Sequence, residues 1–450
     1  MGSKKLIFIF ILTFFFKYGQ SQITFNIKEI DRVTYELYTQ KNWNSLIDIG
    51  KESLRKNISF YYLHVRMGIA YFNKNNFHKA IYHFDQALKI SDEEEYVKEY
   101  LYWSYLYSGR SSEAEWFSKK LSKTFKENYE LNDEIAIKNI DIAYNFTQGN
   151  SIEKITHSIN KIQNNLNGYL FSPLQIESFY IGLLTKLTSR LRIYQAYTNL
   201  NSNQFLYFQA SNQNYSNANF NTRLNQYYIN TNILVSKSVS LTGGIHFVHS
   251  SAKYTTQLTV DSNEIPLLLE VPTHSNVLDI IGFISFYKKF TYFTFGTSYY
   301  KAGLNNAKQE QIDFKLHIFP FGNLNLYIVS NFSVQQQDYG LSTIRKNLII
   351  DENIGFKISN NFWAEIYGSV GDMSNFIVKE GMVIYNRSDV INNRLGAKLI
   401  FVPNPKWSLT IDYTRLSCTS NFIEYPQQRE TNDKFTYLHH SITGILSIKL

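Results

Sequence analysis

The sequence predicts an α + β multidomain protein: an all-α N-terminal domain followed by a C-terminal antiparallel transmembrane β-barrel of about 12 strands. Three observations carry this. Apolar residues recur at helical spacing up to about residue 190. From about residue 200 to residue 450, short aromatic-rich segments alternate apolar and polar residues. A secretion signal precedes both halves.

The signal is read from charge, length and cleavage chemistry. Lys4 and Lys5 precede an apolar run from Leu6 to Leu12 and then Phe14 to Phe16, while Gly19 and Ser21 flank Gln20 before a cut at Gln22. The run is shorter than the ~20 residues a spanning helix needs. The expected organisation is therefore a signal peptide (1–21), a periplasmic helical domain (22–190), a linker (191–204) and a barrel (205–450).

The formal charge is +8 over 450 residues, and no dense Lys/Arg block is present, so nucleic acid is not an expected partner. Cys418 is the only cysteine, which excludes an internal disulfide and a cysteine metal cluster. His439 and His440 are adjacent in a strand-like run, so their side chains point to opposite faces and do not form one ligand site. No G-x-S-x-G elbow nominates a serine nucleophile. Neither a cofactor, a metal nor an enzymatic activity is expected.

In the helical half, Gly68, Tyr71, Ala80, Phe84 and Ala87 fit the small and aromatic positions of a tetratricopeptide repeat starting near Tyr61. Small residues allow two antiparallel helices to cross closely, and the rings fill the space between helix pairs. Tyr105 and Ala114 lie one period beyond Tyr71 and Ala80. Shorter stripes follow at Ala136, Ile140 and Ala143, at Ile152, Ile155 and Ile159, and at Ile176, Phe179, Leu183 and Leu184. They read as degenerate capping helices of a solenoid.

In the strand half, Trp407, Leu409, Ile411 and Tyr413 alternate with Ser408, Thr410, Asp412 and Thr414, and three further segments behave likewise. Tight turns at Lys288-Lys289, Phe321-Gly322, Ser359-Asn360 and near Asn404-Pro405 interleave with long polar linkers. Short turns on one rim and long loops on the other are the pattern of a membrane barrel. The twelve strands expected are 205–216, 223–236, 240–250, 276–288, 291–301, 307–319, 322–335, 345–358, 361–371, 391–402, 406–418 and 435–449. The segment 379–386 reads as a loop hairpin or plug. Lys398, Asp412 and Lys449 are expected to face the lumen.

Gly371-Asp372-Met373 with Asn375-Phe376, then Gly381, Tyr385-Asn386 and Arg394-Leu395-Gly396, resemble the motif of the YaiO-type outer-membrane β-barrel family. The whole chain resembles Bacteroidetes-style proteins that place tetratricopeptide repeats before such a barrel. Within the motif, Asp372, Asn375, Glu380 and Arg394 bring acid, amide and guanidinium groups near one loop, which they are expected to hold over or inside the barrel.

The function expected from this build is that of a bacterial outer-membrane protein. Its partners would be outer-membrane lipid, a periplasmic or outer-membrane protein bound through the repeats, and a polysaccharide whose export or secretion it serves. The alternative is a non-transporting structural or assembly subunit of an outer-membrane complex.

Overall fold

The computed structural model describes residues 26–131, 136–149, 157, 168–210, 213–260, 267–305, 307–340, 344–387, 389–424 and 429–450. The expected signal peptide and the Ile152, Ile155 and Ile159 stripe lie outside these residues. The chain divides into two units, one of Met1–Ser108 with Lys120–Ser122, the other of Gly109–Lys119 with Lys123–Leu450.

The first unit is helical: α1 (Ile27–Thr39), α2 (Trp43–Arg55), α3 (Tyr61–Asn73), α4 (Phe77–Ile90) and α5 (Glu95–Tyr107). Asparagine starts three of them. Asn26, Asn42 and Asn76 accept hydrogen bonds from the backbone N–H groups of Glu29, Ser45 and Lys79, satisfying donors that the helix cannot. The turns that follow α1, α2 and α3 use left-handed Lys41, Asn57 and Asn75. Gly68 is fixed by packing, because a Cβ there would come to 2.5 Å from the Phe84 ring. Tyr71, Ala80, Phe84, Ala87 and Tyr105 are all buried, and Ala114 is buried in the second unit. His64 and His83 meet in this core through their Nδ1 atoms at 3.1 Å.

The second unit opens with two short helices, α6 (Ser111–Phe117) and α7 (Lys123–Asn128), and continues as strands. These are β1 (Ala136–Gln148), β2 (Gly168–Lys186), β3 (Leu191–Ala210), β4 (Gln213–Ser236), β5 (Val239–Val260), β6 (Leu267–Lys289), β7 (Phe293–Leu304) and β8 (Ala307–Ile318). Then follow β9 (Leu326–Asp338), β10 (Ile344–Lys357), β11 (Phe362–Val370), β12 (Phe376–Val378), β13 (Val383–Tyr385), β14 (Val390–Asn404), β15 (Trp407–Glu424) and β16 (Arg429–Lys449). All except β12 and β13 join one closed antiparallel barrel of fourteen strands, sealed where Ile140 pairs with Ile448 between β1 and β16. Closure leaves the barrel no unpaired edge to expose to lipid.

Side chains alternate as the pleat demands. Outward positions such as Ile312, Phe314, Phe332, Val334, Leu348, Ile354, Ile366, Leu395, Ile411 and Ile442 are apolar and exposed. Inward neighbours such as Gln311, Asp313, Ser333, Gln335 and His439 are polar and buried. An outer apolar belt around a polar interior is the build of a transmembrane barrel.

Three expectations are corrected here. Eleven of the twelve expected strands correspond to β4–β11 and β14–β16, whereas the expected strand 205–216 runs from the end of β3 into β4; with β1, β2 and β3 the count is fourteen. Within 131–190 the described stretches 136–148 and 168–186 are strands rather than helices, so the stripes at Ala136–Ala143 and Ile176–Leu184 lie in β1 and β2. Those apolar residues happen to match both periods, since outward Ile140, Ile142 and Tyr144 also alternate at period 2. The expected linker 191–204 lies in β3, and the barrel starts at Ala136 rather than at 205.

Candidate functional site

The connection between β11 and β14 folds into the barrel instead of away from it. Its strands β12 and β13 pair as a small hairpin, Ile377 opposite Ile384. Gly371 makes the inward turn at φ +126°, where a Cβ would collide with the Leu348 carbonyl. Asp372 caps the turn by accepting from the Ser374 backbone N–H (2.9 Å) and hydroxyl (2.5 Å), and it lies 3.7 Å from Arg345.

The hairpin has no strand on its outer edge, so its backbone groups need other partners. Glutamines of β8 and β9 supply them. Gln311 acts as a surrogate strand, donating to the Ile377 carbonyl (2.7 Å) and accepting from the Ile377 N–H (3.2 Å). Gln309 donates to the Asn375 carbonyl (2.9 Å), and Gln335 and Gln337 both donate to the Ser374 carbonyl. Asn375 itself is left-handed and accepts from Asn305 at 2.7 Å.

At the tip, Lys379, Glu380 and Gly381 are all left-handed. Tyr228 donates to the Glu380 carbonyl (2.8 Å), and His246 Nδ1 donates to the Gly381 carbonyl (2.7 Å). Tyr287 donates to the Glu380 carboxylate at 2.5 Å. On the return, Arg387 grips Asp389 with two bonds of 2.8 Å, and Tyr437 donates to the same carboxylate at 2.5 Å. Arg394 of β14 binds Asp351 (2.5 Å) and the Tyr385 hydroxyl (2.7 Å).

Asp372, Asn375 and Glu380 are therefore spread along the hairpin rather than gathered at one spot, and Arg394 stands on the wall in β14. Each ties a different part of it to the wall.

The two faces of the hairpin are apolar and both are occupied. Ile377, Met382 and Ile384 pack against Tyr228, Val248, Ile281, Phe283 and Tyr300 on one side. Met373, Phe376, Val378, Val383 and Tyr385 pack against Ile349, Ile391, Leu416, Cys418 and Tyr437 on the other. The hairpin is thus a septum across the lumen at this level.

Beyond its tip the lumen changes character. Lys379 is solvent-exposed and makes no ion pair or hydrogen bond among the described residues, and it feels the charges of Lys398, Arg394, Asp412 and Glu365. Inward tyrosines line this region in a repeated three-strand arrangement. Tyr327 of β9 lies flat over Gly355 of β10 and donates to Glu365 of β11 at 2.6 Å. Tyr367 of β11 lies over Gly396 of β14 and donates to Asp412 of β15 at 2.6 Å. Tyr194 of β3 lies over Gly182 of β2 and donates to Asp141 of β1 at 2.9 Å. Lys398 closes on Glu365 at 2.5 Å. Each acid is occupied by a phenol, and Glu365 is also neutralised by Lys398. These groups brace a wall and present no nucleophile–base pair, and the described residues contain no group of three metal-ligating side chains.

At the short-turn rim, α6 is held by ions. Glu113 is fully buried between Lys289 (2.5 Å) and Arg110 (3.1 Å), Glu115 pairs with Arg192 at 2.9 Å, and Arg190 stacks over Trp116. Burial opposes ionisation of Glu113, but Arg110 and Lys289 outweigh it and hold its carboxyl below the ordinary range.

Among these groups, Gln309, Gln311, Gln335 and Gln337 are absent from the sequence reading. Their i, i+2 spacing places each pair on one strand face, which is a legible signal. The tyrosine–glycine–acid sets span three strands and need the register.

No family model matches the chain, and no curated protein matches it. Among solved structures it is similar to a Pseudomonas aeruginosa FadL homologue, with a TM-score of 0.41 and 9% identity over 71% of this chain and 90% of that one. It is also similar to the Pseudomonas putida toluene transporter TodX, with a TM-score of 0.41 and 7% identity over 71% of this chain and 89% of that one. The NanC porin aligns with a TM-score of 0.30 and 10% identity over 50% of this chain and 94% of that one.

The YaiO-type resemblance is corrected accordingly. No model of that family or of a tetratricopeptide repeat matches, and the barrel has fourteen strands rather than about twelve. The motif residues Gly371 to Arg394 carry a lumen septum, and small and aromatic positions at 68–87 are what any close helix crossing demands. The closed barrel, its apolar belt and its polar interior define an outer-membrane β-barrel protein.

Proposed function

We propose that this protein is a gated outer-membrane channel in which the hairpin 371–389 is the gate. The observation that carries the reading is Lys379, an unpaired cation at the hairpin tip facing solvent inside the barrel. A permanently solid barrel would bury or pair that ammonium, because an isolated charge in a dry interior is very costly. A wet vestibule on one side of a single thin septum is instead the arrangement of a barrier that opens.

The septum is suited to release. Its central attachments are neutral amide bonds from glutamines, each of which water can replace at a net cost of about 1 kcal/mol. Three successive left-handed residues at the tip, two of them not glycine, store strain in the closed form.

The helical unit is assigned to the periplasm, where it would engage a protein partner. β1 begins at the short-turn rim, which in such barrels faces the periplasm. Export of a polysaccharide is the cargo this organisation best suits, as an architectural analogy.

Planar-bilayer conductance tests the gate. Wild-type protein should be mostly silent. A variant with residues 373–387 replaced by a short Gly-Ser link should conduct continuously. If both are silent, the barrel is a plugged anchor and the structural-subunit reading replaces this one.

A further inference from the structure

Among the described residues, the outer face of the barrel carries one carboxylate at the middle of its apolar belt. On β10, Leu348, Ile350, Ile354 and Phe356 point outward, while Asn347, Ile349 and Asp351 point in. Glu352 belongs to the outward set. Its carboxylate accepts from Ser330 of β9 at 2.7 Å, and Ser330 is itself outward, between Ile328 and Phe332.

Its depth follows from the strand. Glu352 is five residues from Lys357 at the short-turn end of β10. At ~3.3 Å per residue and a tilt of ~40°, the carboxylate lies about 13 Å into the belt. The belt is ~25 Å tall, so this is its middle. Among the described residues, no other outward Asp, Glu, Lys, Arg or His lies at that depth. Lys301, Glu310, Lys346 and Arg415 sit eight or more residues from their short-turn ends.

The neighbouring outward position across β11 is Gly368, which pairs with Glu352. A Cβ built there meets nothing nearer than 3.6 Å. Ser330, Glu352 and Gly368 thus form a shallow dent walled by Ile328, Phe332, Ile350, Ile354, Ile366 and Val370. Small residues around a polar group allow close approach of another segment within the bilayer.

We propose that the β9–β11 face docks a transmembrane segment of a partner protein, which brings a basic side chain to Glu352 at mid-bilayer. Charge complementarity selects this occupant. Among the described residues a second copy of the chain has no mid-belt cation to offer, and a two-fold contact through this face would oppose two carboxylates. Lipid tails offer no donor. A carboxylate in hydrocarbon is costly, so a residue that could be leucine is retained against stability unless something pairs it.

The test uses the full chain in phosphatidylcholine vesicles and a synthetic leucine-rich transmembrane helix with one central lysine. Binding is read by energy transfer between labels on the two. The lysine helix should bind at least tenfold more tightly than the same helix with leucine in its place. Glu352→Gln and Gly368→Leu should each abolish the difference, the first by removing the charge and the second by filling the dent. Both variants should fold, with equilibrium stability equal to or above that of wild type.

Equal binding of the two helices would overturn the proposal, as would an unchanged preference in Glu352→Gln. A tenfold loss in the folding constant of Glu352→Gln would make Glu352 a wall residue held by Ser330, which also overturns it. So would Glu352-dependent energy transfer between two copies of the barrel. None of these outcomes depends on whether the lumen conducts.

Discussion

Replacing Gly355 by alanine tests whether the tyrosine–glycine–acid arrangement holds the wall. The new Cβ would fall within the Tyr327 ring, so the ring must leave the strand surface. Its hydroxyl then loses Glu365, a bond of 2.6 Å to a charged acceptor. Loss of such a bond costs about 1.5–3 kcal/mol, and displacing a packed ring adds about 1–3 kcal/mol. Removing a glycine from a strand returns about 0.5–1 kcal/mol. Glu365 retains Lys398 at 2.5 Å and Asn353 at 3.2 Å, so its charge is not orphaned. The expected net loss is about 2–5 kcal/mol.

The assay is equilibrium urea unfolding in lipid vesicles, followed by tryptophan fluorescence. Gly368→Ala is the control, since it adds the same methyl to an outward glycine with room for it. In a Tyr327→Ala background the Gly355→Ala cost should shrink, with a coupling of about 1–3 kcal/mol. Equal costs for Gly355→Ala and Gly368→Ala, or additivity with Tyr327→Ala, would refute the reasoning.

Gln311→Leu removes both surrogate-strand bonds to Ile377 and should raise the frequency of channel openings in planar bilayers, whereas Gln336→Leu, an outward neighbour of the same type, should not. Glu113→Gln should release α6 from the rim, because Lys289 and Arg110 lose their shared partner, at a local cost of about 3–5 kcal/mol. Trp116 fluorescence reads it. The same signal should hold in wild type from neutral pH down through the ordinary carboxylate range. The folded pKa of Glu113 is depressed, so its contribution is present above the unfolded value and fades only as pH falls through the lower folded one. The helical unit should behave differently. Burial holds His83 down to about 3, so the unfolded chain takes up a proton that the folded core refuses. Stability falls with pH below about 6.5, by about 2 kcal/mol at pH 5, readable as a lower helical melting temperature. His83→Phe should flatten that slope.

Much of the barrel was legible because its code is local. Alternation at Trp407–Thr414 or in β9 puts apolar groups on one face whatever the partner strand, and tight turns at Lys288-Lys289 and Ser359-Asn360 mark one rim. The misreading of β1 and β2 has the same origin. Ala136, Ile140 and Ala143 satisfy helical spacing as a set, and only pairing with Ile448 and Leu183 on either side selects the strand. The helical core was similarly local, since Gly68 beneath Phe84 belongs to one helical hairpin.

The site was only half visible. Asp372, Asn375 and Glu380 drew notice as polar groups crowded into one loop. What they hold was hidden, because the hairpin's partners are remote in sequence: Gln311 lies 66 residues from Ile377, and Tyr228 lies 152 residues from Glu380.

Sequence alone determined the change from helical to alternating pattern, the apolar outer belt and the polar lining, because side-chain periodicity is a property of each segment. Tertiary structure decided the fourteen-strand closure, the inward fold of 371–389 and the depth of Glu352 in the belt. Those depend on register, and register is set by which strands meet around the whole ring.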